Sequence, residues 1–355
     1  MKAAGSWGHA RVPGDSNPRC AQGVHGERGA HREARDSIRA NRAGMRARDC
    51  DQGRGGDGAR EPIRRPCGAD GRAVRSEAGM RRASAAARLT RALRSEALKL
   101  RRSPLAPLHL ALALALGLAA GAYFGYAPWD SLLGADAFFQ LLGAGAPLLA
   151  GLSCGLALDA EREAGECANL LGVPSRRIAL AAKAAALWAL GLSAAVVAAL
   201  AFFAPVAAAG RATPPLATCL AAAGGVAAGS IGLYVVLTWT ALRFGRNAAI
   251  GAGALGFLLA MGSMGGLANG LVTGTLSGEF GVELAAFLPF AWPSRLASLT
   301  VELAVAGQLG AAGQESALVS AFSQVAVTCA ILTTALAAVS LARANRYEDR
   351  RRAGE

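Results

Sequence analysis

Ser153 stands in Gly151-Leu152-Ser153-Cys154-Gly155, the spacing of a nucleophile elbow. A serine activated in that way needs a histidine as base, and after residue 79 the chain has only His109. An intramembrane serine protease built on Ser153 and His109 is therefore one reading of the pattern. Gly251-Ala252-Gly253-Ala254-Leu255-Gly256 has the spacing of a dinucleotide-binding turn. It lies in an apolar run, however, with no strand before it and no acidic residue at the needed distance after it. A phosphate-binding G-x-x-x-x-G-K-S/T loop is excluded, because the lysines are Lys2, Lys99 and Lys183 and none ends such a run. The seven cysteines (Cys20, Cys50, Cys67, Cys154, Cys167, Cys219 and Cys329) form no C-x-x-C pair. Their spacing indicates neither a zinc site nor a redox pair, and their odd count and scatter argue against a disulfide framework. These patterns point to no catalytic residue, bound cofactor or metal ligand in the chain.

Two short charged stretches carry more information. The first runs from Asp159 to Arg177. Asp159, Glu161, Glu163 and Glu166 cluster at its start, where a helix N-terminus favours carboxylates. Leu170-Leu171 follows, and Gly172 and Pro174 break the helix before Arg176 and Arg177. A short helix with exposed leucines on a water-facing loop suits a knob that docks in a partner's groove; the plainer alternative is a solvated connector. The second stretch is Ala83 to Arg102, within a segment expected over residues 80–104. Leu89, Leu93, Ala97 and Leu100 recur at helical spacing, with Arg88, Arg91, Arg94, Ser95 and Lys99 mainly off that stripe. Such a helix is expected to lie in the membrane interface, its basic face towards anionic headgroups, until Ser103-Pro104 turns the chain into the bilayer.

These stretches are set between much longer apolar ones. The chain has 355 residues, of which 53% are apolar and 17% charged, with 45 glycines and a formal net charge of +13. Two unlike pieces share that average. Residues 1–79 are rich in Arg and Gly and poor in Leu, Ile, Val and Phe, so this basic extension is expected to be disordered. It has no aromatic interleaving and no recognisable nucleic-acid-binding motif, so nucleic acid is not an expected partner. It also lacks the apolar core of a signal peptide, and a translation start at Met80 is the plainer expectation.

The rest reads as an all-α integral membrane protein. About 20 mainly apolar residues cross the hydrocarbon. Six stretches qualify: Leu105–Tyr126, Ala137–Leu158, Ala179–Pro205, Leu216–Ala241, Ala248–Leu267 and Ala317–Ala342. So bounded, none has Asp, Glu or Arg in its interior, and Lys183 is expected to snorkel to the interface. Arg94, Lys99, Arg101, Arg102, Arg162, Arg176, Arg177, Lys183, Arg243, Arg246, Arg343, Arg346 and residues 350–352 then flank one side; only Arg211 and Arg295 flank the other. The positive-inside rule makes the first side cytoplasmic, with both termini and the basic tail 343–355 on it. Gly117, Gly121 and Gly125, and the pairs Gly151/Gly155 and Gly225/Gly229, have the spacing of close helix contacts. Residues 268–316 mix apolar turns with Glu279, Glu283, Glu302 and Glu315, which suits re-entrant or interfacial helices at the outer surface, with Phe290 and Trp292 in the aromatic belt. Without ionisable relays in the spans, energy for uphill transport would have to come from outside the chain.

Several segments resemble one family. Glu161, Gly165, Leu170, Leu171, Pro174, Ser175, Arg176 and Lys183 match the E…G…LL..P.SR……K pattern of ABC-2-type permeases. The run Arg94-Ser95-Glu96-Ala97-Leu98-Lys99-Leu100-Arg101-Arg102-Ser103 resembles the elbow helix of the same group. Leu288-Pro289-Phe290-Ala291-Trp292-Pro293-Ser294-Arg295-Leu296 is similar to the segment before their last span. With Gly151 to Leu156 and Asp159, the combination looks most like the MutG-type permease subunit of lantibiotic-protection transporters. The resemblance covers about residues 88–345, and the extension departs from it. It implies an elbow helix carrying Leu89, Leu93, Glu96, Lys99 and Leu100. It implies a cytoplasmic coupling helix, Glu161 to Leu171, that docks an ABC ATP-binding subunit through Asp159, Glu161, Glu163, Gly165, Leu170, Leu171, Pro174 and Arg176. It further implies a second ABC-2-type permease as partner, ATP used by the ATPase subunit alone, and a lantibiotic-like peptide expelled from the bacterial cytoplasmic membrane. A bacitracin-like peptide, a drug or a lipid is the alternative cargo.

Overall fold

The computed structural model describes residues 71–165, 167, 175–263, 276, 286–309 and 312–345. Among them the secondary structure is helical throughout. The elements are α1 (Gly71–Arg102), α2 (Leu105–Tyr126), α3 (Ser131–Glu163), α4 (Arg176–Ala208), α5 (Leu216–Phe244), α6 (Arg246–Ser263), α7 (Trp292–Val305) and α8 (Glu315–Asn345), the last preceded by a 3-10 turn, Ala312–Gln314. Five of these, α2, α3, α4, α5 and α8, are long and apolar enough to cross a membrane. The expected span Ala248–Leu267 begins within α6, and its residues 264–267 lie outside the described residues. So do residues 1–70, the tail beyond 345, and Leu170, Leu171 and Pro174.

Local chemistry explains the breaks. Ser103 Oγ accepts from the Leu105 amide at 3.2 Å where Pro104 separates α1 from α2. Asp130 caps α3 by accepting from the Leu132 amide at 2.8 Å and the Leu133 amide at 3.3 Å. Gly210 takes a φ of 70° after α4, and Pro214-Pro215 precede α5. Gly245, at φ 99°, separates α5 from α6.

Close packing runs through the small residues. A Cβ on Gly121 would lie 2.5 Å from the Phe202 carbonyl oxygen, so α2 and α4 meet backbone to backbone. A Cβ on Gly151 would lie 2.6 Å from Ala249 O, and one on Gly253 2.6 Å from Pro147 O, which joins α3 to α6 in the same way. The glycines of the dinucleotide-like run thus lie within helix α6, with Gly253 against α3 and Gly256 against Phe290.

The helices alternate between two ends. At one, Ser131 Oγ donates to Ala212 O at 2.6 Å, joining the α2–α3 and α4–α5 connections. An apolar core lies near it, with Phe138 stacked on Phe202 at 4.4 Å between centroids. At the other end a second core gathers Leu105, Leu158, Leu180, Leu242 and Ala344. The last turn of α8 therefore returns to the end where α2 starts.

The short helix α7 packs inside the bundle against α3, α5 and α8. Trp292 is fully buried there, contrary to its expected place in an interfacial belt. Its indole N–H donates to Ala286 O at 3.0 Å, and that satisfied donor is what lets the ring leave the interface.

Candidate functional site

The C-terminal turn of α3 holds Asp159, Glu161 and Arg162, and each ties to a different part of the bundle. Glu161 Oε1 lies 2.6 Å from Lys183 Nζ on α4 and 2.9 Å from Lys99 Nζ on α1. Lys183 Nζ also lies 2.6 Å from Glu96 Oε2 on α1, and Lys99 Nζ lies 2.8 Å from Glu96 Oε1. Two carboxylates and two ammoniums thus alternate in a neutral four-membered network joining α1, α3 and α4. Arg162 Nη2 donates to Ala241 O at 2.8 Å and Leu242 O at 2.7 Å, capping the end of α5, where Ala241 O also accepts from the Gly245 amide at 3.0 Å. Arg246, at the start of α6, donates to Asp159 Oδ2 at 2.7 Å.

Lys183 is the buried centre of this joint, its side chain 5% exposed, with Glu96 and Glu161 at 11% and 10%. The expectation that it snorkels to the interface is therefore corrected. With Glu96 and Glu161 both 2.6 Å away, the ammonium finds its counter-charges inside the protein. Lys99 is more open, at 41%. Burial acts to lower its proton affinity, but the hydrogen bonds and charges of Glu96 and Glu161 outweigh that and hold its pKa above the ordinary lysine value of 10.5.

The acids also stand differently from the sequence reading. Asp159, Glu161 and Glu163 end the long helix α3 instead of opening a short separate one. A helix C-terminus disfavours carboxylates, so the placement of Asp159 and Glu161 there depends on Lys99, Lys183 and Arg246. Gly165 follows at φ 150°, with open space around it. Cys167, at φ 61°, returns its amide to Glu161 O at 3.1 Å, and its side chain is buried. Arg176 begins α4. On α1, Leu93, Glu96 and Leu100 are half-buried, whereas Leu89 is exposed.

His109 and Ser153 do meet. Ser153 Oγ lies 2.7 Å from His109 Nε2, and His109 Nδ1 lies 3.0 Å from Leu105 O. A carbonyl only accepts, so Nδ1 carries the hydrogen and Nε2 offers its lone pair to the serine. Ser153 Oγ also lies 2.5 Å from Leu149 O, so one hydroxyl hydrogen has two acceptors. A nucleophile elbow presents its serine on a strand-to-helix turn, whereas Ser153 is inside α3, where the helix ladder engages its backbone N–H. The pair acts here as a polar tie between α2 and α3.

Two features were missed in the sequence. An apolar cavity of about 70 Å³ lies among α2, α3, α4 and α5, lined by Leu112, Leu142, Leu149, Trp188 and Tyr234 with His109 on its wall. A buried polar cluster joins α3 to α7 through Asp136, Gln140, Ser298 and Glu302. The expected lack of ionisable groups inside the bundle is thereby corrected: Asp136 lies just outside the apolar run that marked the second span, yet its helix starts earlier, at Ser131.

Comparison with protein-family models, with curated proteins and with solved structures finds no match to the chain.

Proposed function

We propose that this chain is the permease subunit of an ABC transporter that removes a lantibiotic-like peptide from the bacterial cytoplasmic membrane, as self-protection. In this reading Ala248–Leu267 is also a span, making six with α2, α3, α4, α5 and α8, and both termini are cytoplasmic. A second ABC-2-type permease and ATP-binding subunits complete the assembly, and the ATP is used by those subunits alone. The cargo class rests on the motif resemblance; a bacitracin-like peptide, a drug or a lipid would suit the same architecture.

One observation carries the reading. Through Asp159, Glu161 and Arg162, a single helical turn at the root of the Asp159–Arg177 loop grips α1, α4, α5 and α6 together. A partner that pushes the loop would move four elements at once, which is what a transporter without its own engine requires. The same residues carry the family resemblance, Glu161 and Lys183 in the loop pattern and Glu96 and Lys99 in the elbow pattern.

The test is the double substitution Leu170→Asp with Leu171→Asp. Expected is the loss of co-purification with the ATP-binding subunit and of peptide resistance, while the chain still inserts in the membrane. Unchanged co-purification together with unchanged resistance would remove the docking role.

A further inference from the structure

Arg243 and Arg343 stand in the last turns of α5 and α8, two neighbouring helices that are long and apolar enough to cross a membrane. Both residues are exposed, and neither forms an ion pair among the described residues. We propose that these two arginines, with Trp239 and Phe244, bind the headgroup of an anionic phospholipid. The inference rests on the bundle crossing a membrane and is independent of the transport reading.

The rings build the platform. Arg243 Cζ lies 5.4 Å from the centroid of the Phe244 ring, and Arg343 Cζ lies 5.9 Å from that of Trp239. Trp239 and Phe244 meet edge to face, with 5.8 Å between centroids and 83° between planes. Arg343, Trp239, Phe244 and Arg243 thus form one continuous row drawn from two helices. A guanidinium is held over a ring by its charge and keeps N–H donors for an acceptor beyond the ring. Among the described residues none of those donors is spent on a carboxylate. The nearby cations differ. Arg246 is held by Asp159 at 2.7 Å, and Arg162 by the carbonyls of Ala241 and Leu242. Asp159, the acid fixed beside this end of α5, is therefore already engaged.

The surroundings of the row select a lipid over a soluble anion. Phe244 is 62% exposed, and Val339, one turn of α8 before Arg343, is 49% exposed. An ion taken from water gains nothing from that apolar surface. A phospholipid uses both parts of it: its phosphate oxygens accept from the arginines, and its glycerol and first methylenes cover Phe244 and Val339. Aromatic rings at the end of a span lie at headgroup depth, where this arrangement is in register with the lipid. Arginine suits the phosphate because its planar fork presents paired donors. Basic pockets between membrane helices recognise anionic headgroups by the same electrostatics.

The test is native mass spectrometry of the full chain in detergent, titrated with phosphatidylglycerol, phosphatidylcholine and inorganic phosphate. Expected is retention of phosphatidylglycerol in preference to phosphatidylcholine, with inorganic phosphate unable to displace it. Arg243→Gln with Arg343→Gln should weaken that retention about 30-fold. The exposed pair at the end of α1, substituted as Arg101→Gln with Arg102→Gln, should leave it nearly unchanged. Equal retention of the two lipids, or equal weakening by the two pairs of substitutions, reduces the effect to general surface charge and overturns the proposal. Displacement by inorganic phosphate makes the row a site for a free anion and is equally fatal. So is tighter phosphatidylglycerol binding after Glu348→Gln with Asp349→Asn, which would make those acids the occupant. If the glutamine pair at 243 and 343 does not fold, Arg243→Lys with Arg343→Lys must still weaken retention, because an ammonium lacks the paired donors. Undiminished retention in that variant refutes the site.

Discussion

Lys183 shows how much of the site depends on a single ammonium. Its removal would leave Glu96 and Glu161 buried with only the half-open Lys99 between them. Lys183→Ala should therefore cost about 3–5 kcal/mol, and Lys99→Ala under about 1 kcal/mol, in reversible unfolding in detergent. Adding Glu161→Gln to Lys183→Ala should recover part of the loss, since one orphaned charge goes with its partner. Equal losses for the two lysines would contradict a buried centre at Lys183. The Lys99 contribution should persist up to the ordinary lysine value of 10.5 and fade only as pH climbs above it, because its folded pKa is the raised one. Glu96 and Lys99 were visible in the sequence ahead of the first apolar run, Glu161 after the second and Lys183 inside the third. Their pairing was not, because Glu96, Glu161 and Lys183 are brought together by three different helices.

At the scale of helices, hydropathy found apolar interiors and missed polar ends. Leu105–Tyr126 was read with the bounds it has, while Ala137–Leu158 is the middle of Ser131–Glu163 and Ala179–Pro205 the middle of Arg176–Ala208. The turns left out are those that carry Asp136, Asp159, Glu161 and Arg162, so the sites lay in the blind margin of the method. Charged turns lower a window average even when their charges are paired, and pairing is a tertiary fact. Glycine spacing was more legible. Gly151 was singled out for close contact, and it packs on Gly253 of α6 with a Cα 3.0 Å from where its Cβ would stand. Gly253→Leu should therefore push α3 from α6 and cost about 1–3 kcal/mol, whereas Gly262→Ala on the same helix, with nothing within 4 Å, should not. Thermal unfolding of the two variants compares them directly, and equal melting would refute the tight α3–α6 contact.

For the whole molecule, most of the described basic residues stand at one end of the bundle, whereas Arg295, expected at the opposite flank, is buried on α7. Lys99, Arg162, Lys183 and Arg246 gather at the end where α2 starts and α8 finishes, with Arg343 over Trp239 near them. Arg211 stands at the opposite end, donating to Trp129 O. The joint at the foot of α3 is thus at the end with the cluster of cations, which the proposed function would place in the cytoplasm by the positive-inside rule. A cargo path of the proposed kind would leave no comparable trace in the sequence, because an apolar wall such as that of the cavity near His109 has the same composition as a lipid-facing one. The account turns on the claim that this chain supplies the path and a partner supplies the work. Reconstitution in proteoliposomes tests it most directly: ATP-dependent release of a lantibiotic from the membrane is measured with the chain alone and with the second permease and ATP-binding subunits added. Release is predicted only in the complete assembly; release by the chain alone would contradict the account.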